Sequence, residues 1–268
     1  MHLSPSSHLR RSLSAADGIS LIELIVAMTL TVVMIAALVS ILSLTYHQET
    51  RTSDYVQADQ IGRDAIGSIV TELRSGCLGF GATAVQAPAS TPTAPLESTN
   101  ATNLWFVTSY ASASTESAIL SSVSEHDVHW EKTGTTSGGE KIGTLTDYSF
   151  PSEGGTSPEW KFPTLSTANA KASLLAKNVI APSISSSPTI FQYYKFSTTS
   201  VGQLEAIEAS SASSAASKGE VAKVAIAFTQ APEDGTTSAG RTASFADSVV
   251  FRFTSPSSAS EATNSPCE

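Results

Sequence analysis

The sequence predicts an α+β protein in which one long N-terminal helix, transmembrane at first and amphipathic further on, packs on an antiparallel β-sheet head. Residues 24–44 form an apolar run of 21 residues that contains neither a charge nor a proline. No proline occurs between Pro5 and Pro88, which leaves room for an unbroken helix. From Leu104 onwards, short β-rich segments alternate with clusters of Gly, Ser and Pro, as in an antiparallel sheet.

The apolar run is long enough to cross a bilayer, because about 20 apolar residues in a helix span the hydrocarbon core. One carboxylate, Glu23, is the fifth residue of the hydrophobic sequence that begins at Ile19. An ionised group costs roughly 2.5–3.5 kcal/mol at the membrane centre. Glu23 is therefore expected to pair with a positive charge or, as the alternative, to reach back to the lipid headgroups.

A polar leader, residues 1–18, precedes the apolar run and ends in Gly18. A secretory signal peptide has the opposite order, since cleavage follows its apolar core and discards it. Cleavage after Gly18 would instead keep the hydrophobic segment. Arg10 and Arg11 precede the span, whereas the residues just beyond it are mainly acidic, so the positive-inside rule predicts a cytoplasmic leader and an extracytoplasmic head.

The residues around Gly18 resemble the prepilin segment of type IV pilins and of type II secretion pseudopilins. Gly18, the Leu-Ile-Glu of residues 21–23 and Leu24 match that pattern, whereas Ile19 stands where Phe is usual. The resemblance implies that a membrane prepilin peptidase cuts between Gly18 and Ile19 and methylates the new N-terminus at Ile19. It also implies that Glu23 serves assembly by pairing with the N-terminal ammonium of a neighbouring subunit, because a charge in apolar surroundings needs a partner.

The partners implied by this resemblance are other pilin subunits, contacted through their N-terminal helices, the prepilin peptidase, the inner-membrane assembly platform and membrane lipid. No cofactor is expected, and a net charge of −9 disfavours direct nucleic-acid binding. We expect a structural subunit of a type IV pilus-like fibre. The large head favours a minor pilin, which would be a single-pass membrane protein before assembly and part of the pilus at the cell surface afterwards. The alternatives are a minor pseudopilin of a type II secretion system and, in another class, a membrane-anchored extracytoplasmic binding or adhesion domain.

Beyond the membrane, the helix is predicted to continue as an amphipathic segment with apolar residues at three- and four-residue spacing. These positions are Val56, Ile61, Ala65, Ile66, Ile69, Val70 and Leu73. Gly62 and Gly67 are each expected to weaken the helix by up to about 1 kcal/mol relative to Ala. The predicted segments are the leader at 1–18, the transmembrane helix at 19–45, its amphipathic continuation at 46–76, a connecting loop at 77–103 and the β-rich head at 104–268.

Seven short β-rich segments between clusters of Gly, Ser and Pro predict the strands of the head. They comprise residues 104–110, 123–133, 141–150, 189–196, 203–209, 221–230 and 244–253. Residues 168–179 are predicted to form one short helix. The last strands resemble the ending of the larger minor pilins and of the J-type minor pseudopilins, although alternating strands occur in any half-buried sheet.

One predicted strand, residues 125–131, carries a group of titratable side chains. Alternation places Asp127, His129 and Glu131 on one face and His126, Val128 and Trp130 on the other. The first set is compatible with a metal-binding edge. The sequence favours an ordinary strand with one solvated and one buried face, since no histidine follows His129. Nucleophile, phosphate-loop and Cys-x-x-Cys motifs do not occur, so neither an enzyme nor a metal site is predicted.

The two cysteines, Cys77 and Cys267, allow a disulfide, because their even number in an exported segment is compatible with oxidation. This bond would tie the end of the long helix to the C-terminal tail. Two free thiols are the alternative.

Overall fold

The computed structural model describes residues 20–76, 96, 98–109, 123–136, 138–156, 159–184, 187–200, 203–217, 220–235, 237 and 240–251. The chain divides into two compact units, Met1–Thr50 and Arg51–Glu268. Helix α1 (Leu21–Arg74) contains the boundary between them, so its first half belongs to one unit and its second half to the other. The predicted uninterrupted helix is confirmed over this range.

The two ends of α1 have different hydrogen-bond partners. At the N-terminal end, the backbone N–H groups of Glu23 and Leu24 donate to the Ser20 carbonyl at 2.9 and 3.1 Å. At the C-terminal end, the Ser75 hydroxyl donates to the Glu72 carbonyl at 2.8 Å and lies 2.6 Å from the Thr108 hydroxyl. Since Thr108 also forms a β-bridge with Gly76, the last turn of the helix is attached to the first strand of the head.

An eight-stranded antiparallel sheet forms the core of the head, as the sequence predicts. Its strands are β1 (Asn103–Ser109), β2 (Val123–Thr135), β3 (Lys141–Pro151), β6 (Lys171–Ile180), β9 (Phe191–Phe196), β10 (Leu204–Ile207), β11 (Lys223–Gln230) and β12 (Ala243–Val250). The order is β1-β2-β3-β6-β11-β9-β10, and β12 pairs with β11. Two small hairpins pair β4 (Gly154–Thr156) with β5 (Glu159–Lys161) and β7 (Ser183–Ile184) with β8 (Ser187–Pro188). All seven predicted strands overlap an observed one.

The second half of α1 packs on one face of this sheet through a continuous stripe. The buried members of the stripe are Ala58, Gly62, Ala65, Ile69, Val70 and Leu73. Most of them join one apolar cluster with side chains from β1, β2 and β3, including Phe106, Val128 and Leu145. The stripe differs from the predicted one at its beginning, because Val56 is 46% exposed whereas Ala58 is fully buried. Near Ala58 and Gly62, small residues let the helix approach the sheet closely. A prediction based on large apolar side chains does not detect such positions.

A second apolar cluster lies on the other face of β1 and β3, where Leu96, before β1, and Leu165, after β5, pack on the sheet. Leu96 and Leu165 bury Trp105 and Phe150, whose rings stack 5.8 Å apart. A smaller apolar group, Val107, Val123 and Phe162, adjoins on the same side of the sheet. Each face of the first three strands therefore carries buried apolar side chains.

The prediction of a short helix at residues 168–179 is wrong, since most of that segment forms strand β6, which pairs with β3 from Lys171 to Ile180. Asn178 adopts a left-handed conformation with φ 57°, which a helix interior does not accept. Its side-chain amide donates to the carbonyls of Pro232 and Glu233 at 3.1 and 3.0 Å. Pairing with other strands overrides the local helix preference here. The actual short helices, a 3-10 turn at Ala209–Ser211 and α2 at Ala212–Ser217, were not predicted.

Candidate functional site

The first half of α1 exposes its apolar side chains on every side. Each large apolar residue from Leu21 to Leu44 is exposed, with exposed fractions between 49% and 76%. Among the described residues, α1 is the one helix that is long and apolar enough to cross a membrane. An exposed surface of this size is stable in lipid rather than in water.

Polar side chains inside this apolar half hydrogen-bond within the helix. The hydroxyls of Thr29, Thr31, Ser40 and Thr45 donate to carbonyls three or four residues earlier, at 2.7–3.0 Å. A hydroxyl that donates in this way presents no unpaired proton to its surroundings. These four residues therefore do not oppose placement of the segment in hydrocarbon.

Glu23 is the one ionisable side chain from Leu21 to Thr45, and it lies in the first turn of α1. A carboxylate only accepts hydrogen bonds, so Glu23 cannot donate to a helix carbonyl as these hydroxyls do. Its neighbours in the predicted cleavage segment, Gly18 and Ile19, lie outside the described residues. Both cysteines of the predicted disulfide, Cys77 and Cys267, also lie outside them.

The second half of α1 brings a different carboxylate, Glu72, to a buried polar cluster in the head. Nδ1 of His126 on β2 lies 3.0 Å from both carboxylate oxygens of Asp147 on β3 and 3.8 Å from Oε2 of Glu72. Nε2 of His126 lies 2.7 Å from the Ser124 hydroxyl. The imidazole also stacks on Phe106 with ring centroids 5.3 Å apart. Three elements of the fold thus converge on one histidine.

Electrostatics explain the pKa shifts in this cluster. Burial tends to lower the pKa of His126, but the hydrogen bond and charge of Asp147, with smaller contributions from Glu72 and Glu125, raise it above its ordinary value. Burial and the nearby charge of Asp147 raise the pKa of Glu72, while His126 and the Ser68 hydroxyl oppose that change. Both shifts favour protonation within the cluster, of the imidazole and of the Glu72 carboxyl group.

A second polar network occupies the opposite face of β2. The Asn103 side-chain amide lies 2.6 Å from Nδ1 of His129 and 3.5 Å from a carboxylate oxygen of Asp127, and the Tyr193 hydroxyl donates to the Asn103 carbonyl at 2.7 Å. Burial, with the charge of Asp127, raises the pKa of Tyr193 well above its ordinary value. The network links β1, β2 and β9 beneath the covering connection.

The predicted alternation along β2 is confirmed, but the predicted solvated face is wrong. Asp127 is fully buried and His129 is 8% exposed, while Glu131 is exposed. A connection that covers the second face of the sheet buries both, and periodicity within a single strand carries no information about it. Asp127, His129 and Glu131 therefore do not form the exposed metal-binding edge that the sequence allowed.

Sequence reasoning did not single out Glu72 or Asp147. Asp147 did have a local signal, because it lies two residues after Leu145 on the inward side of β3. A carboxylate at an inward position predicts a buried partner. Glu72 lies beside the apolar stripe, and only the packing of α1 on β2 reveals its partner.

Compared with known proteins, the chain matches no protein-family model, no curated protein and no solved structure. The likeness to prepilins consequently rests on the residues themselves.

Proposed function

We propose that this chain is a type IV prepilin-like subunit, a minor pilin that is inserted through the first half of α1, cleaved after Gly18 and assembled into a fibre through its N-terminal helix. Its partners would be other pilin subunits, the prepilin peptidase, the inner-membrane assembly platform and lipid. The observation that carries the proposal is a single carboxylate, Glu23, at the start of an otherwise uncharged and exposed apolar helix, five residues after Gly18.

The local chemistry of the first half of α1 supports this reading. The hydroxyls of Thr29, Thr31 and Ser40 donate within the helix, and Glu23 is the one ionisable side chain of the segment, which an external positive charge would neutralise in lipid. Cleavage after Gly18 would create an α-amino group of opposite charge in every subunit. In a staggered bundle of helices, the ammonium of one subunit would pair with Glu23 of its neighbour. Any other axial alignment of the two helices would leave both charges unpaired in apolar surroundings, which is unfavourable.

The head supports a subunit with an outward-facing domain. A helix stripe packed on an antiparallel sheet is the layout expected of a pilin-like head, and β9, β11 and β12 correspond to the strands whose pattern resembles minor pilins and minor pseudopilins. A minor pseudopilin of a type II secretion system is the second candidate, since it would share all of these features. The candidate of another class is a membrane-anchored extracytoplasmic binding or adhesion domain that does not polymerise.

The test substitutes Glu23 by Ala and by Gln in the native membrane and measures insertion, processing and incorporation into fibres. Glu23→Ala is expected to insert and to be cut, since removing a charge makes the span more apolar. Both variants should fail to incorporate, because an unpaired buried ammonium costs on the order of 3–5 kcal/mol. The matched control is Thr29→Val, which removes a hydroxyl that is already satisfied by the Val26 carbonyl, and which should incorporate normally.

Mass spectrometry of the mature protein reports cleavage, methylation and the disulfide together. We expect an N-terminus at Ile19 and no cleavage in Gly18→Val. Normal incorporation of both Glu23 variants would exclude the assembly role of Glu23. If the wild-type protein is cut but enters no fibre, the anchored-domain candidate replaces the proposal.

A further inference from the structure

The buried cluster of Glu72, His126 and Asp147 has a donor set that the proposed assembly role of the chain does not use. Each residue offers one donor atom, and these atoms lie within 4.8 Å of one another. An imidazole nitrogen with two carboxylates suits divalent transition metals, because Zn²⁺ binds His nitrogen and carboxylate oxygen, whereas Ca²⁺ and Mg²⁺ prefer oxygen alone.

The spacing of the donor atoms fits one small ion. Zinc bonds of about 2.0–2.2 Å in a tetrahedral site separate adjacent donor atoms by about 3.3 Å. The distances from Nδ1 of His126 are 3.0 Å to Asp147 and 3.8 Å to Glu72, one below and one above that value. Because all three donor atoms lie within 4.8 Å of one another, rotation of the Glu72 and Asp147 side chains would bring them to bonding distance of one ion.

The surrounding hydrogen bonds hold each donor in the orientation that a metal requires. Nε2 of His126 contacts the Ser124 hydroxyl at 2.7 Å, which lets Nε2 carry the proton and leaves the Nδ1 lone pair for the ion. The Ser68 hydroxyl donates to Oε1 of Glu72 at 3.4 Å and leaves Oε2 for the ion. A hydrogen bond to the second atom of a ligand is the usual support of a metal site.

One atom of the cluster lacks a hydrogen-bond partner, and a proton on His126 would not supply one. Oε2 of Glu72 is buried and makes no hydrogen bond within the described part of the chain. A protonated His126 satisfies Asp147 at 3.0 Å but remains 3.8 Å from that oxygen. A divalent cation within bonding distance of Oε2 would supply that oxygen with a partner and would neutralise both carboxylates. The Glu72 side chain is 27% exposed, which gives the ion a path from solvent.

We propose that Glu72, His126 and Asp147 bind one divalent transition-metal ion, with Zn²⁺ as the best match, and that this ion fastens the C-terminal end of α1 to strands β2 and β3. The three ligands come from three separate elements, so binding would stabilise the packing of the helix on the sheet. The site is independent of the fibre role, since it lies in the unit that begins at Arg51.

The test titrates Zn²⁺ into the full-length protein, purified in detergent and stripped with EDTA, and measures stoichiometry, affinity and Tm. We expect one tightly bound ion per chain, a higher Tm that EDTA reverses, and X-ray absorption distances of about 2.0–2.1 Å to nitrogen and oxygen. Millimolar Mg²⁺ should not compete. Glu72→Gln and His126→Gln should lose tight binding, and Ser124→Ala should weaken it about tenfold, as removal of a supporting hydrogen bond does.

Two control variants distinguish zinc binding at the cluster from zinc binding at other surface groups. Glu131→Gln removes an exposed carboxylate from the same strand, and His47→Gln removes an exposed histidine, so both should bind zinc as the wild type does. Far-UV circular dichroism and tryptophan fluorescence show whether each variant remains folded. Zinc binding that persists unchanged in folded Glu72→Gln would overturn the proposal. The absence of tight binding in the wild type would also overturn it.

Discussion

The two halves of α1 share one backbone conformation but differ in what holds them helical. The first half is exposed and, from Leu24 to Leu44, apolar on every side, and many of its residues are β-branched types with modest helix propensity. Lipid would compensate for this in a membrane, because a segment in hydrocarbon must satisfy its backbone hydrogen bonds internally. The second half is polar except for one stripe and depends on the sheet that covers the stripe. The helical conformation of the first half would thus depend on surrounding lipid. That of the second half depends on side-chain packing against the sheet.

This difference determines how sensitive each half is to substitution. Where every face is apolar, rotation of the helix or exchange of one apolar side chain for another leaves the environment much the same. Where one stripe is buried, each position has its own neighbours, and loss of a side chain leaves a cavity. Matched substitutions in the two halves test the comparison directly.

The largest expected effect follows from truncating isoleucine in the second half. Ile69→Ala should destabilise the head by about 2–5 kcal/mol, because Ile69 is fully buried in the main apolar cluster. Ile35→Ala makes the same chemical change in the first half, where Ile35 is 55% exposed, and should leave head stability unchanged. Urea unfolding of the detergent-solubilised protein, followed by tryptophan fluorescence, measures both, since Trp105 and Trp130 are buried in the head. Equal losses in the two variants would contradict the comparison.

The second prediction concerns Gly62, which is buried against Phe245 of β12. A Cβ added there would meet Cε2 of the Phe245 ring, far closer than side chains approach one another. Phe245 also packs on Phe228 with ring centroids 5.6 Å apart, so the ring is not free to move away. Gly62→Ala should destabilise the head by about 1–3 kcal/mol, although Ala is the better helix former.

A double variant identifies the contact responsible. If the clash with Phe245 causes the loss, Gly62→Ala should cost little once Phe245→Ala has removed the ring, and the two effects should be strongly non-additive. Additive losses in urea unfolding would show that a different contact limits the approach of the helix.

The amino-acid sequence alone was sufficient to predict the features that depend on one element at a time. Apolar length and the spacing of residues such as Ile69 and Leu73 predict α1, and alternation predicts seven strands, because both signals are local. Strand β6 was mistaken for a helix since its conformation depends on pairing with β3. The cluster at His126 was missed for a related reason: Glu72, His126 and Asp147 are far apart in the chain and meet only when α1 packs on the sheet.

The faces of β2 show the same limit on a smaller scale. Alternation correctly separated Asp127 and His129 from His126 and Val128. It could not show that the connection containing Leu165 would bury the first pair, because such coverage comes from residues remote in sequence. Whether a polar residue on a strand faces solvent or joins a buried network can therefore be decided only when the whole fold is known.

The smallest predicted effect is a gain in stability from Gly67, five residues after Gly62 on the same helix. The sequence suggested that both glycines weaken α1 equally, but the structure separates them: Gly67 is exposed, and a Cβ added there meets no atom within 4 Å. Gly67→Ala should therefore stabilise the head by up to about 1 kcal/mol, through helix propensity and a less flexible unfolded chain. Urea unfolding would show a higher midpoint with an unchanged slope. A loss of stability in Gly67→Ala would mean that the added methyl group clashes with a neighbouring group in the folded protein. The second half of α1 would then be packed on two faces, at Gly62 and at Gly67, rather than on one.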